Sequence, residues 1–513
     1  MRIKLVSLSG IDGDLNTGFL NHPPLVPAIF KTLLKAHTVE LDDVGIRLIH
    51  DQELLRELFS LRFHEDPGIA DAYLAGRRED PAIDAVFEKI LRLVDYGNFR
   101  VVGLSVPHSR CLPAALVLAK KIKEETGTMI VLGGFTFLKG IEKKFFQKYP
   151  FVDYVSVFNS YRPFLELVGA LAGGKEAPEI GGMASRSFSV APQVVSDHAD
   201  SLPTPDFDTL PLEAYRNVPG AAKRFFRFNA GRQLTLPYFF IGGCLYNCSF
   251  CLRHIKDRKV VFTPVEKIAD DLALMSEKYR TDCFAFYNYT ANMNDAFLND
   301  FCDILIKRKI NILWSDSAKP RIDKRLLLKM RKAGCVCLTW GVESGSEAIL
   351  KSMNKHHTAK DAAKALRDSH EAGIWNRANL IVGYPGETES QFRETLRFIG
   401  ENSEFIDTLE VHKFFLSTSA ILSDPGKFGI KTRNGQRTME GQDFSNYEFD
   451  EINGVKWEEK LPQLDRRYQE AFSFYQALKK NTVLLDNRDL VYNIYSLYKK
   501  FNTKKAIIKH LEK

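Results

Sequence analysis

Three cysteines lie within eight residues, at Cys244, Cys248 and Cys251, in the segment LPYFFIGGCLYNCSFCLRH. Gly242 and Gly243 end the apolar stretch before them and allow the chain to turn tightly out of a strand. Three thiolates in a short loop can bind three irons of a cubane [4Fe-4S] cluster, whereas a fully ligated cluster needs a fourth protein ligand. No fourth cysteine lies near the triplet. The spacing therefore predicts a cluster with one open iron.

Two other interpretations of the triplet are a zinc site and a set of buried free thiols. Structural zinc sites usually have four ligands at CxxC-type spacings. His254 follows Cys251 by three residues and could complete a ligand set, but the three-residue gap between Cys244 and Cys248 is atypical of zinc. The sequence favours the iron-sulfur interpretation.

The elements that must position these cysteines form a regular series. Short apolar runs alternate with helical stretches, which predicts six parallel strands in a partial (βα)6 barrel over residues 236–425. The triplet comes directly after the first of these runs. The predicted strands lie near residues 236–242, 283–288, 311–315, 335–340, 376–383 and 408–416.

A second α/β region precedes the barrel, over residues 1–175, and its five apolar runs predict a doubly wound, Rossmann-like parallel sheet. A mostly helical insertion at about 48–97 is expected to form a lid or a packing surface. Residues 176–235 contain Pro-rich SLPTPDFDTLP and are predicted to be a linker, and residues 426–513 a mainly helical carboxy-terminal domain. The predicted strands of the first sheet are 3–9, 38–44, 100–106, 129–133 and 152–157.

The triplet, with AGCVCLTWGVESGS at the fourth barrel strand and NLIVGYPGETESQF at the fifth, resembles the radical S-adenosylmethionine (SAM) superfamily, in the subgroup that has an amino-terminal cobalamin-binding domain. The resemblance implies that SAM chelates the open iron and is reductively cleaved to a 5′-deoxyadenosyl radical. It also implies SAM contacts from Glu343, Ser344 and the backbone from Ile381 to Gly383. Simple turn chemistry is the alternative explanation of Gly383 and Gly386.

At the second barrel strand the chain departs from the resemblance. Radical SAM proteins often have a GGE-like motif there that holds the amino group of SAM, but this chain reads DCFAFYNYTANMN. Tyr287, Asn288 and Asn292 are the candidate substitutes. An asparagine-rich loop that forms Asx turns is the alternative.

The amino-terminal region resembles cobalamin-binding domains in the runs VVGLSV and MIVLGG. The resemblance implies that Ser105, Gly133 and Gly134, at the strand ends, line the crevice for the cobalamin nucleotide tail, as the crevice of an open α/β sheet requires. The motif that supplies a lower axial histidine is absent, and Asn16 occupies that place. His108 near the crevice is a candidate contact or an ordinary surface residue.

The resemblance in domain order predicts a cobalamin-dependent C-methyltransferase that acts on an unactivated carbon. The alternative is a cobalamin-free epimerase with a cysteine hydrogen-atom donor. Strand alternation places Cys335, Cys337 and Thr339 on one face, which could be the barrel interior, although small core residues are the plainer interpretation of both cysteines. Arg377 and Asn379 could line a substrate cavity. A third hypothesis, a passive SAM- or cobalamin-binding adaptor, fits poorly with an open iron.

The partners follow from the same chemistry. The cofactors would be the cluster, SAM and cobalamin, with a reducing partner such as flavodoxin or ferredoxin and a small-molecule or peptide substrate. A net charge of +7 over 513 residues does not favour nucleic acid. No run approaches the roughly 18 apolar residues of a membrane span, and no secretory signal is evident, so the expected location is cytoplasmic.

Overall fold

The computed structural model describes residues 1–11, 22–137, 141, 143–157, 161–188, 202–216, 233–251, 259–416, 419–433, 447–479 and 487–511. The chain divides into two compact units. The first consists of Met1–Asp197, Ser201–Arg224 and Arg437–Ser445, and the second of His198–Asp200, Phe225–Gln436 and Asn446–Lys513.

The first unit is built on one six-stranded sheet. Its strands are β1 (Arg2–Ser7), β2 (Thr38–Asp43), β3 (Val101–Ser105), β4 (Met129–Gly133), β5 (Tyr154–Ser156) and β6 (Met183–Ser185), in the order β2-β1-β3-β4-β5-β6. The first five strands are parallel, and β6 is antiparallel to β5. The predicted doubly wound sheet is confirmed. The edge strand β6, which lies in the stretch predicted to be a linker, was not predicted.

Helices cover the sheet of the first unit, and their bounds are α1 (Leu25–Leu33), α2 (Val44–His50), α3 (Gln52–Ser60), α4 (Gly68–Leu74), α5 (Pro81–Arg92), α6 (Leu112–Thr126), α7 (Lys143–Lys148), α8 (Arg162–Ala172) and α9 (Leu212–Arg216). The insertion before β3 is helical, as predicted. Its helices α3 and α5 bury Leu58, Phe87 and Ile90 in the same apolar core as α6, so the insertion is a packing surface.

The second unit is built on a six-stranded parallel sheet. The strands of this sheet are β7 (Thr235–Tyr238), β10 (Cys283–Phe286), β11 (Leu313–Ala318), β12 (Cys335–Glu343), β13 (Trp375–Val382) and β14 (Thr408–Lys413). Four shorter strands form two antiparallel pairs, β8 (Ile241–Gly242) with β9 (Val261–Phe262) and β15 (Ile430–Thr432) with β16 (Phe449–Glu451). The sheet order is β14-β13-β12-β11-β10-β7. Strands that follow one another in sequence are neighbours in space, as in a partial βα barrel. All six predicted barrel strands are present.

The helices of this unit are α10 (Val265–Tyr279), α11 (Asp295–Lys307), α12 (Lys324–Lys332), α13 (Glu347–Ser352), α14 (Ala359–Glu371), α15 (Glu389–Asn402), α16 (Ala420–Ser423), α17 (Trp457–Leu478), α18 (Asn487–Phe501) and α19 (Lys504–Leu511). Capping boxes begin α14 at Thr358 and α15 at Thr388, because each threonine bonds the amide three residues later.

The barrel sheet has one covered face and one more open face. Along β11 and β13, buried residues alternate with half-buried ones, the pattern of a sheet whose faces differ in exposure. On the covered face, the ring of Trp314 lies 5.8 Å from that of Phe301 in α11. The half-buried positions are polar along much of their length: Ser315, Ser317, Arg377 and Asn379.

The last two helices lie in the same compact unit as the barrel. Tyr495 and Tyr498 of α18 share an apolar cluster with Cys337 and Trp375. The ammonium of Lys504 in α19 lies 2.5 Å from the carboxylate of Asp407, and both side chains are buried. Within the described residues, no helix combines the length and the apolar character that a bilayer crossing requires.

Candidate active site

The cluster loop, residues 239–251, leaves β7 at the carboxyl edge of the barrel sheet. The amide oxygen of Asn288 accepts hydrogen bonds from the backbone N–H groups of Phe240 and Ile241, both at 3.0 Å. The Asn288 amide nitrogen donates to the buried carboxylate of Asp316 at 2.7 Å. Gly243 has φ of +77°, and a Cβ there would lie 2.1 Å from the carbonyl oxygen of Lys259. The stem of the cluster loop, residues 240–243, is therefore held by these hydrogen bonds and requires a glycine at position 243.

Ser249 fixes the middle of the cluster loop. Its backbone N–H donates to Met353 O at 3.0 Å, and its carbonyl accepts from the N–H of Ile421 at 3.2 Å. Its hydroxyl lies 2.7 Å from the hydroxyl of Tyr384, which follows β13. Contacts to three separate segments thus hold the loop between Cys248 and Cys251.

The three cysteines of the loop remain partly accessible. Cys244, Cys248 and Cys251 are half-buried, and all eight cysteines of the chain lie in the described part and are thiols rather than disulfides. Burial raises the pKa of Cys248. Iron binding must therefore displace its proton, because the thiolate is the metal ligand.

Three cysteine thiols in one loop are a donor set that suits an iron-sulfur cluster. Among the described residues, no three His, Cys, Asp or Glu side chains converge on one ion position. The thiolates of a cubane each bind a different iron, so they stand farther apart than the ligands of one zinc ion. His254, the candidate fourth zinc ligand, lies outside the described residues.

Two lysines bring positive charge to the loop. The ammonium of Lys355 lies 2.9 Å from a carboxylate oxygen of Glu343, and both side chains are nearly buried. Although burial opposes the charge, Glu343 raises the pKa of Lys355. Lys319, directly after β11, has its ammonium 3.1 Å from the centre of the Tyr246 ring, and burial lowers its pKa to about 8. Both charges can offset the negative charge of three thiolates.

The predicted SAM contacts lie at the same edge of the sheet. Glu343 ends β12 with φ of +67°, a conformation that is costly for a residue with a side chain and is concentrated at functional sites. The hydroxyl of Ser344 is buried and lies 3.1 Å from that of Thr395. Ile381 is half-buried near the end of β13, and Gly383 follows that strand with φ of +76°.

An ion pair closes the turn after β13. The N–H of Gly383 donates to a carboxylate oxygen of Glu387 at 2.6 Å, and that oxygen lies 2.8 Å from the guanidinium of Arg467 in α17. Both side chains of the pair are almost completely buried. The glycine-rich turn is therefore fixed by α17.

The three candidates after β10 have different surroundings. Tyr287 is 46% exposed. Asn288 is buried and holds the stem of the cluster loop. Asn292 is also buried, and its amide bonds the backbone N–H and C=O of Lys319, each at 2.9 Å. Both asparagines thus bind the protein's own backbone, and only Tyr287 presents a large accessible side chain.

A bulge in β12 separates Cys335 from Cys337. Trp314 of β11 pairs with Cys335, but the next residue, Ser315, pairs with Cys337, so Val336 is the extra residue of the longer strand. A bulge of this kind places two successive side chains on one face. The expected alternation of faces along this strand is therefore wrong at Cys335.

The two cysteines share part of their surroundings and differ in the rest. Cys337 and Val336 join the apolar cluster of Tyr495. The thiol of Cys335 interacts first with that of Cys337, and then with the thiol of Cys302 in α11 and the charge of Arg331 in α12. Burial raises the pKa of Cys337 to about 12. Cys337 is therefore a protonated thiol.

The crevice of the first unit has small residues at its strand ends. The sheet order reverses between β1 and β3, which is where a flavodoxin-like sheet binds its ligand. Ser105 and Gly133 are half-buried at the ends of β3 and β4. Gly134 has φ of +123°, and a Cβ there would lie 2.1 Å from the carbonyl oxygen of Val106. The imidazole of His108 lies 3.4 Å from the thiol of Cys111. Asn16 lies outside the described residues.

Comparison with known proteins agrees with this geometry. Residues 238–399 match the model of the radical SAM superfamily. An uncharacterised methyltransferase of Pyrococcus horikoshii is 24% identical over 353 residues, which is 65% of this chain and 72% of the relative. The anaerobic magnesium-protoporphyrin IX monomethyl ester cyclase of Rubrivivax gelatinosus is 26% identical over 38% of this chain, and the match spans 34% of the cyclase.

Two solved structures extend the likeness to both units. The radical SAM methyltransferase TsrM of Kitasatospora setae, with cobalamin and a [4Fe-4S] cluster bound, has a TM-score of 0.62 at 14% identity and covers 91% of this chain and 90% of its own. The cobalamin-dependent SAM radical enzyme OxsB, with aqua-cobalamin bound, has a TM-score of 0.61 at 17% identity and covers 100% of this chain and 71% of its own.

The second unit is thus a radical SAM domain, whose cofactors are a [4Fe-4S] cluster and SAM, and the protein is a radical SAM enzyme. The two-unit fold of the chain is also the fold of TsrM and OxsB. A radical SAM enzyme also requires a source of electrons for its cluster.

Several residues of the site could not be singled out from the sequence. No sequence motif marks Lys319, Lys355 or Asp316, and only the tertiary fold brings them to the site. A weak signal exists for Lys319, because charged residues directly after a barrel strand lie at the edge where active sites form.

Proposed function

We propose that the protein is a cobalamin-dependent radical SAM methyltransferase that acts on an unactivated carbon. The observation that carries this proposal is the likeness to TsrM and OxsB over nine-tenths or more of the chain, so that it includes the unit outside the radical SAM domain. The methyltransferase of P. horikoshii adds support from sequence. A fold alone does not define a reaction, so the surroundings of the crevice matter.

The crevice of the first unit fits a large flat cofactor. Ser105 and Gly133 place small side chains at the ends of two adjacent strands, and Ser7 and Ser9 do so at the end of β1. Gly134 brings the loop after β4 against the backbone of Val106. We propose that these strand ends hold cobalamin without a histidine from the Asn16 position.

The residues of the barrel edge would have separate roles. When bound, the cluster, SAM and cobalamin supply the radical and the methyl group. Cys244, Cys248 and Cys251 hold the cluster, and Asn288 and Ser249 fix the loop that carries them. Glu343, positioned by its ion pair with Lys355, can accept a hydrogen bond from the amino group or ribose of SAM. We further propose a flavodoxin or ferredoxin as electron donor and a small molecule or peptide as substrate.

Corrinoid retention tests the cofactor directly. The anaerobically reconstituted protein is incubated with hydroxocobalamin, passed through gel filtration and examined by visible spectroscopy. We expect about one corrinoid per chain. A colourless first unit, in a protein that still holds its cluster, would contradict the proposal.

Gly133 offers a matched pair of variants. Its φ is not in the left-handed region, and a Cβ would lie 3.7 Å from that of Ser156, an ordinary contact. Gly133→Ala should therefore retain corrinoid, whereas Gly133→Leu should fill the crevice and lose it. Equal retention by both variants would place the corrinoid elsewhere.

The products of SAM separate methyl transfer from other radical chemistry. With cobalamin and a reductant, the proposal predicts both S-adenosylhomocysteine, from methyl donation, and 5′-deoxyadenosine, from reductive cleavage. Formation of 5′-deoxyadenosine alone, independent of cobalamin, would instead favour the epimerase alternative.

Cys337 is the residue that keeps the epimerase alternative open. Its thiol is protonated, as a hydrogen-atom donor must be, and the bulge separates it from Cys335. A Cys337→Ala variant should leave SAM cleavage intact under the methyltransferase proposal. Loss of solvent deuterium incorporation into product in this variant, but not in Cys335→Ala, would favour the epimerase.

A further inference from the structure

We propose that Lys319 binds the carboxylate of SAM through a buried ammonium group that makes no hydrogen bond within the described part of the chain. The inference concerns the radical SAM domain alone. It goes beyond the proposed methyl transfer and does not depend on the presence of cobalamin.

Lys319 is held in place by its backbone. It directly follows β11, so it lies at the carboxyl edge of the sheet with the cluster loop. The side-chain oxygen of Asn292 accepts from the N–H of Lys319 at 2.9 Å, and the side-chain nitrogen of Asn292 donates to its C=O at the same distance. The Lys319 C=O also accepts from the N–H of Arg321 at 2.7 Å. Hydrogen bonds to both the N–H and the C=O of Lys319 therefore fix its backbone.

The side chain of Lys319 leads back to the cluster loop. Its ammonium lies 3.1 Å above the Tyr246 ring, and its charge interacts with the thiols of Cys248 and Cys244. The residue is only 6% exposed, and Nζ has no hydrogen-bond partner. Burying an ammonium without a hydrogen-bonding anion is unfavourable, and a cation–π contact offsets only part of that cost. The ammonium of Lys319 therefore has hydrogen-bond donors that the described part of the chain does not satisfy.

Lys355 serves as a comparison. It lies near the same loop, but its ammonium is already engaged by the carboxylate of Glu343 at 2.9 Å. Of these two lysines, Lys319 is the one with its charge available for a ligand.

The carboxylate of SAM is the anion that fits. SAM bound at the cluster would bring a carboxylate into this buried site, and its oxygens would require hydrogen-bond donors, because buried polar atoms are normally paired. A lysine ammonium has three N–H donors and no acceptor. The thiolates of the cluster already have iron as their partner, so they need this donor less.

The inference is tested by comparing the affinities of two ligands for two proteins. Binding of SAM and of decarboxylated SAM to the anaerobically reconstituted enzyme is measured by equilibrium dialysis, for the unchanged protein and for Lys319→Met. A hydrogen bond to a charged group implies that Lys319→Met weakens SAM binding on the order of 10- to 100-fold. It should leave decarboxylated SAM unaffected. Lys319→Arg should recover part of the loss, and Lys360→Met, at an exposed lysine of α14, should change neither affinity.

Iron and sulfide content is measured on every variant, so that the cluster is known to be present. Unchanged SAM affinity in Lys319→Met, or an equal loss for both ligands, would overturn the inference. So would loss of the cluster in both Lys319→Met and Lys319→Arg, or a shift in cluster potential without a change in SAM affinity, since the charge would then serve the cluster itself.

Discussion

The barrel edge and the crevice of the first unit each contain a glycine with positive φ that packs against a backbone carbonyl, but the side chains around the two glycines differ. Gly243 and Gly134 both have positive φ, and a Cβ on either would lie 2.1 Å from a backbone carbonyl oxygen. Around Gly243, the side chain of Asn288 bonds two backbone N–H groups of the cluster loop, and the hydroxyl of Tyr384 lies 2.7 Å from that of Ser249. Around Gly134, the neighbouring strand ends carry serine and glycine. A site that positions reactive atoms needs bonded side chains, whereas a crevice for a large cofactor needs free space.

The two glycines give the largest expected effects. Gly243→Ala should distort the cluster loop and remove nearly all bound iron, while leaving corrinoid retention unchanged. Gly134→Ala should do the reverse. Iron analysis and visible spectroscopy on the same preparations measure both quantities, and coupled loss of both cofactors in either variant would break the comparison.

The ion pair of Arg467 with Glu387 tests how firmly the barrel edge is held. Removing one member of a buried pair costs about 3–5 kcal/mol, because it leaves the other charge unpaired. Arg467→Met should therefore destabilise the second unit by that amount in chemical denaturation. The neighbouring Arg466 pairs with Glu389 at the surface, so Arg466→Met should cost less than about 1 kcal/mol. A similar decrease in the free energy of unfolding for both variants would argue against a special role of the buried pair.

Asp43 makes the stability of the first unit sensitive to pH. Burial raises its pKa from 3.8 to about 7, so the native state favours the protonated form. Its contribution to stability is complete below about pH 4 and is lost as the pH rises through 7, a change of a few kcal/mol. The Asp43 carboxyl caps the Gly45 and Ile46 amides. The free energy of unfolding of the first unit, measured by chemical denaturation, should fall over this pH range in excess of the change that other groups produce. Asp43→Asn, which preserves the cap, should abolish that excess; an unchanged excess would contradict the assignment.

The smallest expected effect concerns the support of the cluster loop. Tyr384→Phe removes the hydroxyl that lies 2.7 Å from that of Ser249. One hydrogen bond contributes about 1 kcal/mol, and the backbone bonds of Ser249 remain. The variant should keep its cluster and lower the rate of SAM cleavage by no more than about tenfold. Complete loss of cleavage would mean that the backbone bonds of Ser249 are insufficient to hold the loop.

The sequence was sufficient for the order of the elements, and its assignment of the cluster ligands stays a prediction. The alternation of apolar runs with helices located both sheets, and the triplet is confined to one loop whose chemistry depends on local spacing. The edge strand β6 was missed because three residues leave too short a pattern. Cys335 was assigned to the wrong face because strict alternation cannot reveal the bulge at Val336. Asn288 and Asn292 were noticed, but their bonds to the backbone of Phe240 and Lys319 arise only when distant segments meet in the fold.

SAM cleavage by the reconstituted enzyme tests the central claim most directly. With a reductant and no oxygen, the protein should convert SAM to 5′-deoxyadenosine, and Cys248→Ala, which removes one of three cluster ligands, should form none. If Cys248→Ala cleaves SAM as fast as the unchanged protein, then the triplet Cys244, Cys248 and Cys251 is not the catalytic centre.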